Sequence, residues 1–309
     1  MKLGPVLSIS MLIIIGCGIV ELDKSDHLID GYVIEDPWFT DSSYRVSLRT
    51  DLTVADREKP VIILVHGYGS STFQWEEFAE YAENDGRILT SIILLGGHGK
   101  NVDEFKKSTW EDWGATILDE YRALVQQGYT HINIATASTG GTLALCHIAT
   151  GEYDAHPPEH FFLVDPLVIP GDKLLTLVKV VGPMLGNSPR DNLNEKEQQY
   201  IFTNRPAETL DELYSLCKLV RSELEDGITL PSGSWMKIFQ VKDDPTVDPA
   251  SSLLIYKGVR THAGKKIEAE IIDSDKHVFT SLSARSTVSK KDRQLQKKAF
   301  NEIAAKMLE

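Results

Sequence analysis

The chain has 309 residues, of which 42% are hydrophobic and 25% charged, proportions of a globular protein with room for one large α/β domain or two small ones. Its formal net charge is −13, so phosphate backbones and anionic bilayer surfaces should repel it, and nucleic acid is excluded as a first choice of partner. No low-complexity tract or internal repeat divides the sequence.

The N-terminal stretch "MKLGPVLSISMLIIIGC" has one lysine at its start, then an apolar run, then small residues. That is a secretory signal in outline, too short to span a bilayer comfortably. Its end, Ile14-Ile15-Gly16-Cys17, resembles the lipobox of bacterial lipoproteins. The resemblance implies a signal peptide over residues 1–16, lipidation of the Cys17 sulfur and a tether over 17–30. The membrane is then a partner through Cys17, and the protein is extracytoplasmic. Ile19, rather than Asp two past the cysteine, points to the outer membrane instead of the inner one. The alternatives are an uncleaved anchor or an ordinary signal peptide. Cys146 and Cys217 belong to no C-x-x-C and read as two buried free thiols.

"YRVSLRT" predicts an early strand, and the β-branched run of "KPVIILVHGYG" a strand buried on both faces. "STFQWEEFAEYAENDG" has helical spacing and a glycine stop, and "RILTSIILLGGHG" starts as the next buried strand. "TWEDWGATILDEYRALVQQG" is an amphipathic helix with acidic residues early and Gly128 as its stop. "HINIATA" is a strand, "TGGTLALCHIATG" a helix and "HFFLVDPLVI" a strand. From about Pro170 to Ser234 the pattern is helical, interrupted by proline and without an obvious strand. "WMKIFQV" and "KKIEAEIID" resume the strands, and "KKDRQLQKKAFNEIAAKMLE" closes with a helix. The alternation predicts an α/β fold, a mostly parallel sheet covered on both faces, built from residues 31–169 and 235–309 with a helical insertion over 170–234.

A strand, a serine turn and a helix meet at Thr136-Ala137-Ser138-Thr139-Gly140. Such a turn lifts a serine hydroxyl out of the sheet edge and aims the first N–H groups of the helix at a reacting carbonyl. The pattern departs from G-x-S-x-G at Thr136, while Ala137, Gly140 and Gly141 are small as the crowded turn requires. A serine nucleophile needs a base and an orienting acid. Later post-strand loops supply acids in "KDDPTVDP" and His277 in "SDKHVF".

In this setting the chain resembles the carboxylesterase and monoacylglycerol-lipase group of α/β-hydrolases. The marks come in order: "VHGYG" at 65–69, "LLGGHG" at 94–99, the serine turn, "DPTVDP" at 244–249 and "DKHV" at 275–278. The spacing D-x-x-V-x-P selects Asp244 over Asp243; the alternative is that Asp244 caps a turn with Asp243 or Asp248 as the acid, and Asp165 after "FFLV" is the second choice from an earlier strand. The resemblance implies Ser138 as nucleophile, His277 as base, Asp244 as orienting acid, and an oxyanion hole from the backbone N–H groups of Tyr68 and Thr139. His66 and His98 are expected to shape loops instead of reacting. His131, His147, His156, His160 and His262 show no metal-like clustering, so neither a metal nor a cofactor is expected.

"KLLTLVKVVGPMLG" and "ELYSLCKLV" in the insertion are apolar enough to pack on the main domain and to line an acyl-chain tunnel. The expected substrate is a small-molecule ester with a short or medium acyl chain, or a monoacylglycerol. Acyltransferase, thioesterase or peptidase chemistry would use the same triad. A non-catalytic, lipid-binding surface lipoprotein is the alternative from another class, favoured only by Thr136.

Overall fold

The run Val61–Val65 (β2) is buried at every residue, and its side chains divide between two cores. Val61, Ile63 and Val65 point to one face of the sheet and Ile62 and Leu64 to the other, as the period of two requires. The computed structural model describes residues 48–49, 53–98, 102–171, 187–189 and 193–309. The lipobox-like stretch with Cys17, the 17–30 tether and the whole of "KLLTLVKVVGPMLG" lie outside the described residues.

Seven strands form the main sheet: β1 (Leu48–Arg49), β2, β3 (Leu89–Ile93), β4 (Ile132–Ala137), β5 (His160–Val164), β9 (Trp235–Val241) and β11 (Glu268–Ile272). Their spatial order is β1-β3-β2-β4-β5-β9-β11. Every pairing is parallel except β1 with β3, where Leu48 lies opposite Ile92 in antiparallel register. The expected mostly parallel sheet with helices on both faces is borne out. The early strand of "YRVSLRT" is described only at Leu48 and Arg49.

Helices α2 (Val102–Lys107), α3 (Trp110–Gln126), α4 (Thr139–Ala149) and α5 (Ala207–Asp226) cover one face; α1 (Glu76–Asp85) and α7 (Lys290–Met307) cover the other. Local chemistry sets their ends. Thr109 and Asp112 form a capping box at the start of α3, and Ser289 and Asp292 another at the start of α7. Gly86, at φ 72°, closes α1 in the left-handed conformation that costs glycine little. Parallel strands need a crossover, and α6 (Ala250–Gly258), which the sequence pattern did not announce, supplies the one between β9 and β11.

The stretch between β5 and β9 is not wholly helical. Beside α5 it contains β6 (Asn187–Pro189) paired antiparallel with β7 (Asn204–Pro206), and β8 (Ile228–Thr229) paired parallel with β10 (Val259–Arg260). Two- and three-residue strands are too short to carry an alternation that a sequence scan registers. Helix α5 buries Leu213, Leu216 and Val220 in the same core as α4, so much of its apolar face serves packing.

Candidate active site

Ser138 stands where β4 ends and α4 begins, at φ 51° and ψ −118°. Its N–H donates to the Val164 carbonyl at 2.9 Å, which ties the turn to the end of β5. The turn is as crowded as its sequence suggests. A Cβ on Gly140 would meet the His66 carbonyl oxygen at 2.9 Å, and one on Gly67 would meet Ser138 Cβ at 2.9 Å. Thr136 is accommodated from the far side: its Oγ1 lies 3.3 Å from where a Cβ on Gly141 would be.

The other predicted residues follow the carboxyl ends of neighbouring parallel strands, Asp244 after β9 and His277 after β11. His277 Nδ1 and Asp244 Oδ2 are 2.7 Å apart, with the Asp244 side chain fully buried and His277 13% exposed. The second oxygen of Asp244 accepts from the N–H groups of Thr246 and Val247 at 2.8 and 2.9 Å. Those two bonds fix the carboxylate plane, and through it the imidazole. Asp243 and Asp248, the neighbouring candidates, are both exposed.

Asp165 lies against this pair without bonding the imidazole. One oxygen of each carboxylate and a ring nitrogen of His277 lie within 4.8 Å of one another. Asp165 Oδ1 accepts from Val241 N at 2.6 Å and Gln240 Nε2 at 3.3 Å, and Oδ2 accepts from Val278 N at 2.7 Å. Burial pushes its carboxyl well above the ordinary range, the His277 charge opposing this and the Asp244 charge adding to it. The oxygens of Asp165 are thus engaged by N–H donors and Nδ1 of His277 by Asp244, so this cluster offers a cation few free lone pairs.

Among the described residues, the non-glycine positions with positive φ are Ser138, Asp165 and Val278. All three lie in the serine turn or next to the His277–Asp244 pair. Strain of this kind persists only where the surroundings over-determine it, and it concentrates at functional sites.

The two predicted oxyanion donors occupy different elements. Thr139 opens α4, so its N–H is among the four that a helix leaves without an internal partner. Tyr68 sits in the loop after β2, and two histidines shape that loop reciprocally. His66 Nε2 accepts from Leu95 N at 3.0 Å, and His98 Nε2 accepts from Gly69 N at 3.0 Å. Each Nδ1 in turn faces a carbonyl, Gly67 at 2.8 Å and Gly96 at 3.0 Å, so both rings are held as the same neutral tautomer. Burial lowers His66 to about 4, against the opposing Gly67 carbonyl. The Tyr68 hydroxyl bonds Thr209 Oγ1 at 2.6 Å; because Thr209 donates to the Pro206 carbonyl, Tyr68 is the donor. The loop is thereby linked to α5.

Sequence reasoning did not single out Arg285 or Glu197. Arg285 Nη2 donates to the His277 carbonyl at 2.6 Å and Nη1 to Glu197 Oε1 at 2.6 Å. Glu197 lies in an acidic, polar run that reads as solvated surface, and no local signal marks it.

This geometry sits on an α/β-hydrolase fold. A structure of the metagenome-derived lipolytic enzymes LipS and LipT superposes with a TM-score of 0.64 at 16% identity, covering 85% of this chain and 98% of that one. A soluble variant of the monoglyceride lipase of Saccharomyces cerevisiae, in complex with a substrate analog, gives 0.63 at 10% identity, covering 84% and 90%. In sequence, the chain is 25% identical over 207 residues to the thermostable monoacylglycerol lipase of Bacillus sp. (strain H-257), across 64% of this chain and 76% of that enzyme. No protein-family model matches the sequence.

Proposed function

We propose that the protein is a serine hydrolase of carboxylic esters, acting on short- or medium-chain acyl esters or monoacylglycerols through an acyl-enzyme. The observation that carries this is the 2.7 Å bond between His277 Nδ1 and a buried Asp244 oxygen, on the same sheet edge as a strained Ser138. Ser138 Oγ attacks the ester carbonyl while Nε2 of His277 takes its proton. Asp244, accepting from Nδ1–H, holds the tautomer that leaves Nε2 free to do so and stabilises the imidazolium that results. The backbone N–H groups of Tyr68 and Thr139 stabilise the oxyanion, His277 returns the proton to the departing alcohol, and water cleaves the acyl-enzyme by the same route.

The substrate class draws support from the similarity to a monoacylglycerol lipase and from the insertion between β5 and β9, which in this reading caps the pocket. A lipid anchor at Cys17 would hold the enzyme at a membrane surface, where such esters partition. Treating the purified protein with a fluorophosphonate probe and mapping the labelled peptide tests the reading. The expected label is on Ser138, with loss of p-nitrophenyl ester hydrolysis in Ser138→Ala. Hydrolysis near the wild-type rate in that folded variant would overturn it.

A further inference from the structure

The peptide between His277 and Val278 is held at both of its polar ends by side chains, one of them 113 residues away. Its carbonyl accepts from Arg285 Nη2 at 2.6 Å, and its N–H donates to Asp165 Oδ2 at 2.7 Å. Val278 has φ 53°, a conformation that a β-branched residue almost never adopts unaided. Hydrogen bonds with one charged partner are about twice as strong as neutral ones; the Arg285 bond is of that kind, and it converges with the Asp165 bond on one strained peptide.

Arg285 is itself held from the insertion. Its Nη1 pairs with Glu197 at 2.6 Å, and the Glu197 side chain is only 6% exposed. The other oxygen of Glu197 accepts from Asn194 N at 3.0 Å and Asn194 Nδ2 at 2.7 Å. Asn194 Nδ2 also donates to the Ala284 carbonyl at 2.9 Å, next to Arg285. A largely buried carboxylate with every contact made to this one junction is costly to maintain for packing alone.

We infer that Arg285 and Asp165 are positioning residues that clamp the His277–Val278 peptide so that the imidazole faces Ser138, and that Glu197 holds Arg285 in that clamp. The inference rests on the hydrolase reading above.

The test uses the full-length chain and Arg285→Lys, Arg285→Met, Glu197→Gln and Asp165→Asn. For each, kcat and KM are measured with p-nitrophenyl butyrate, together with the rate of fluorophosphonate labelling at Ser138 and the melting temperature. Misplacing a base by a fraction of an ångström predicts a fall in kcat of about tenfold or more, with KM within about threefold. Labelling should slow by the same factor, because it needs the same base. Glu197→Gln should add little in the Arg285→Met background, since both act through one clamp. Variants that melt earlier but keep wild-type kcat and labelling per folded molecule would overturn the clamp and leave a purely structural ion pair. If Arg285→Met does not fold, Arg285→Lys and Glu197→Gln decide, since each keeps the bulk of the side chain. A wild-type chain that takes neither ester nor label overturns the hydrolase reading itself, whatever the variants do.

Discussion

Gly67 lies so close to Ser138 that a Cβ placed on it would sit 2.9 Å from Ser138 Cβ and 3.5 Å from Ser138 Oγ. The loop carrying one proposed oxyanion donor is therefore pressed onto the proposed nucleophile, with no room for a methyl group. Gly67→Ala must push either the serine turn or the Tyr68 N–H out of place. The expected outcome is a fall in kcat of about a hundredfold, the size of losing one oxyanion donor, with KM little changed. Steady-state kinetics on a p-nitrophenyl ester reads this directly; an alanine variant at wild-type kcat would show that the loop yields without cost.

The two carboxylates beside His277 are distinguished by what they bond. Asp244 takes the imidazole N–H; Asp165 takes backbone N–H groups. Asp244→Asn keeps the shape but turns an acceptor into a donor, which favours the wrong tautomer, and should lower kcat by about three to four orders of magnitude. Asp243→Asn alters an exposed side chain one residue away and should leave kcat within about threefold. Equal losses in the two variants would count against Asp244 as the orienting acid.

Thr136 is the one feature that favours a non-catalytic protein. It is buried, and its Oγ1 donates to the Phe162 carbonyl at 3.4 Å and lies 3.3 Å from where a Cβ on Gly141 would be. Thr136→Gly should leave kcat within about threefold while lowering stability by about 1 kcal/mol, because glycine weakens a strand. A large gain in kcat on that substitution would mean that Thr136 does distort the serine turn.

Much of the sheet was legible in the sequence because its strands are buried runs of β-branched residues, such as Val61–Val65, punctuated by glycine turns. The serine turn and the His277 loop were legible because their constraints are local. The role of Asp165 was not, since its partners Val241 and Val278 lie 76 and 113 residues away and carry no side-chain signal, only N–H groups. Arg285 was hidden for the same reason: what it holds is a carbonyl, which every residue possesses. Helix α6 went unnoticed because only Ser251, Ser252 and Ile255 of it are buried, too few for an apolar stripe.

The proposed lipid anchor at Cys17 bears on location, not chemistry. Cys17→Ser should leave the protein unlipidated and shift it from the detergent phase to the aqueous phase in detergent partitioning. A single apolar N-terminal segment would not produce that change, because serine in place of cysteine hardly alters its hydrophobicity. Unchanged partitioning would point to an uncleaved anchor.

Stability should depend on pH through the buried histidines. Burial lowers His66 and His147 from 6.5 to about 4, so the folded protein resists protons that the unfolded chain accepts. The stability tied to the neutral rings is present above pH 6.5 and is lost as pH falls from there toward 4, at about 1.4 kcal/mol per pH unit for each proton taken up. Asp165, raised by burial, has the opposite sign, and its contribution fades as pH rises, so the total slope mixes several groups. A difference measurement separates them. His66→Gln keeps an acceptor for Leu95 N–H but cannot titrate. Urea melts between about pH 6.5 and 5, above most carboxylates, should show a slope for this variant shallower than wild type by close to one proton. Parallel curves for the two proteins would mean that His66 is protonated in the fold, and that the clasp between the Tyr68 loop and Leu95 is not made by a neutral ring.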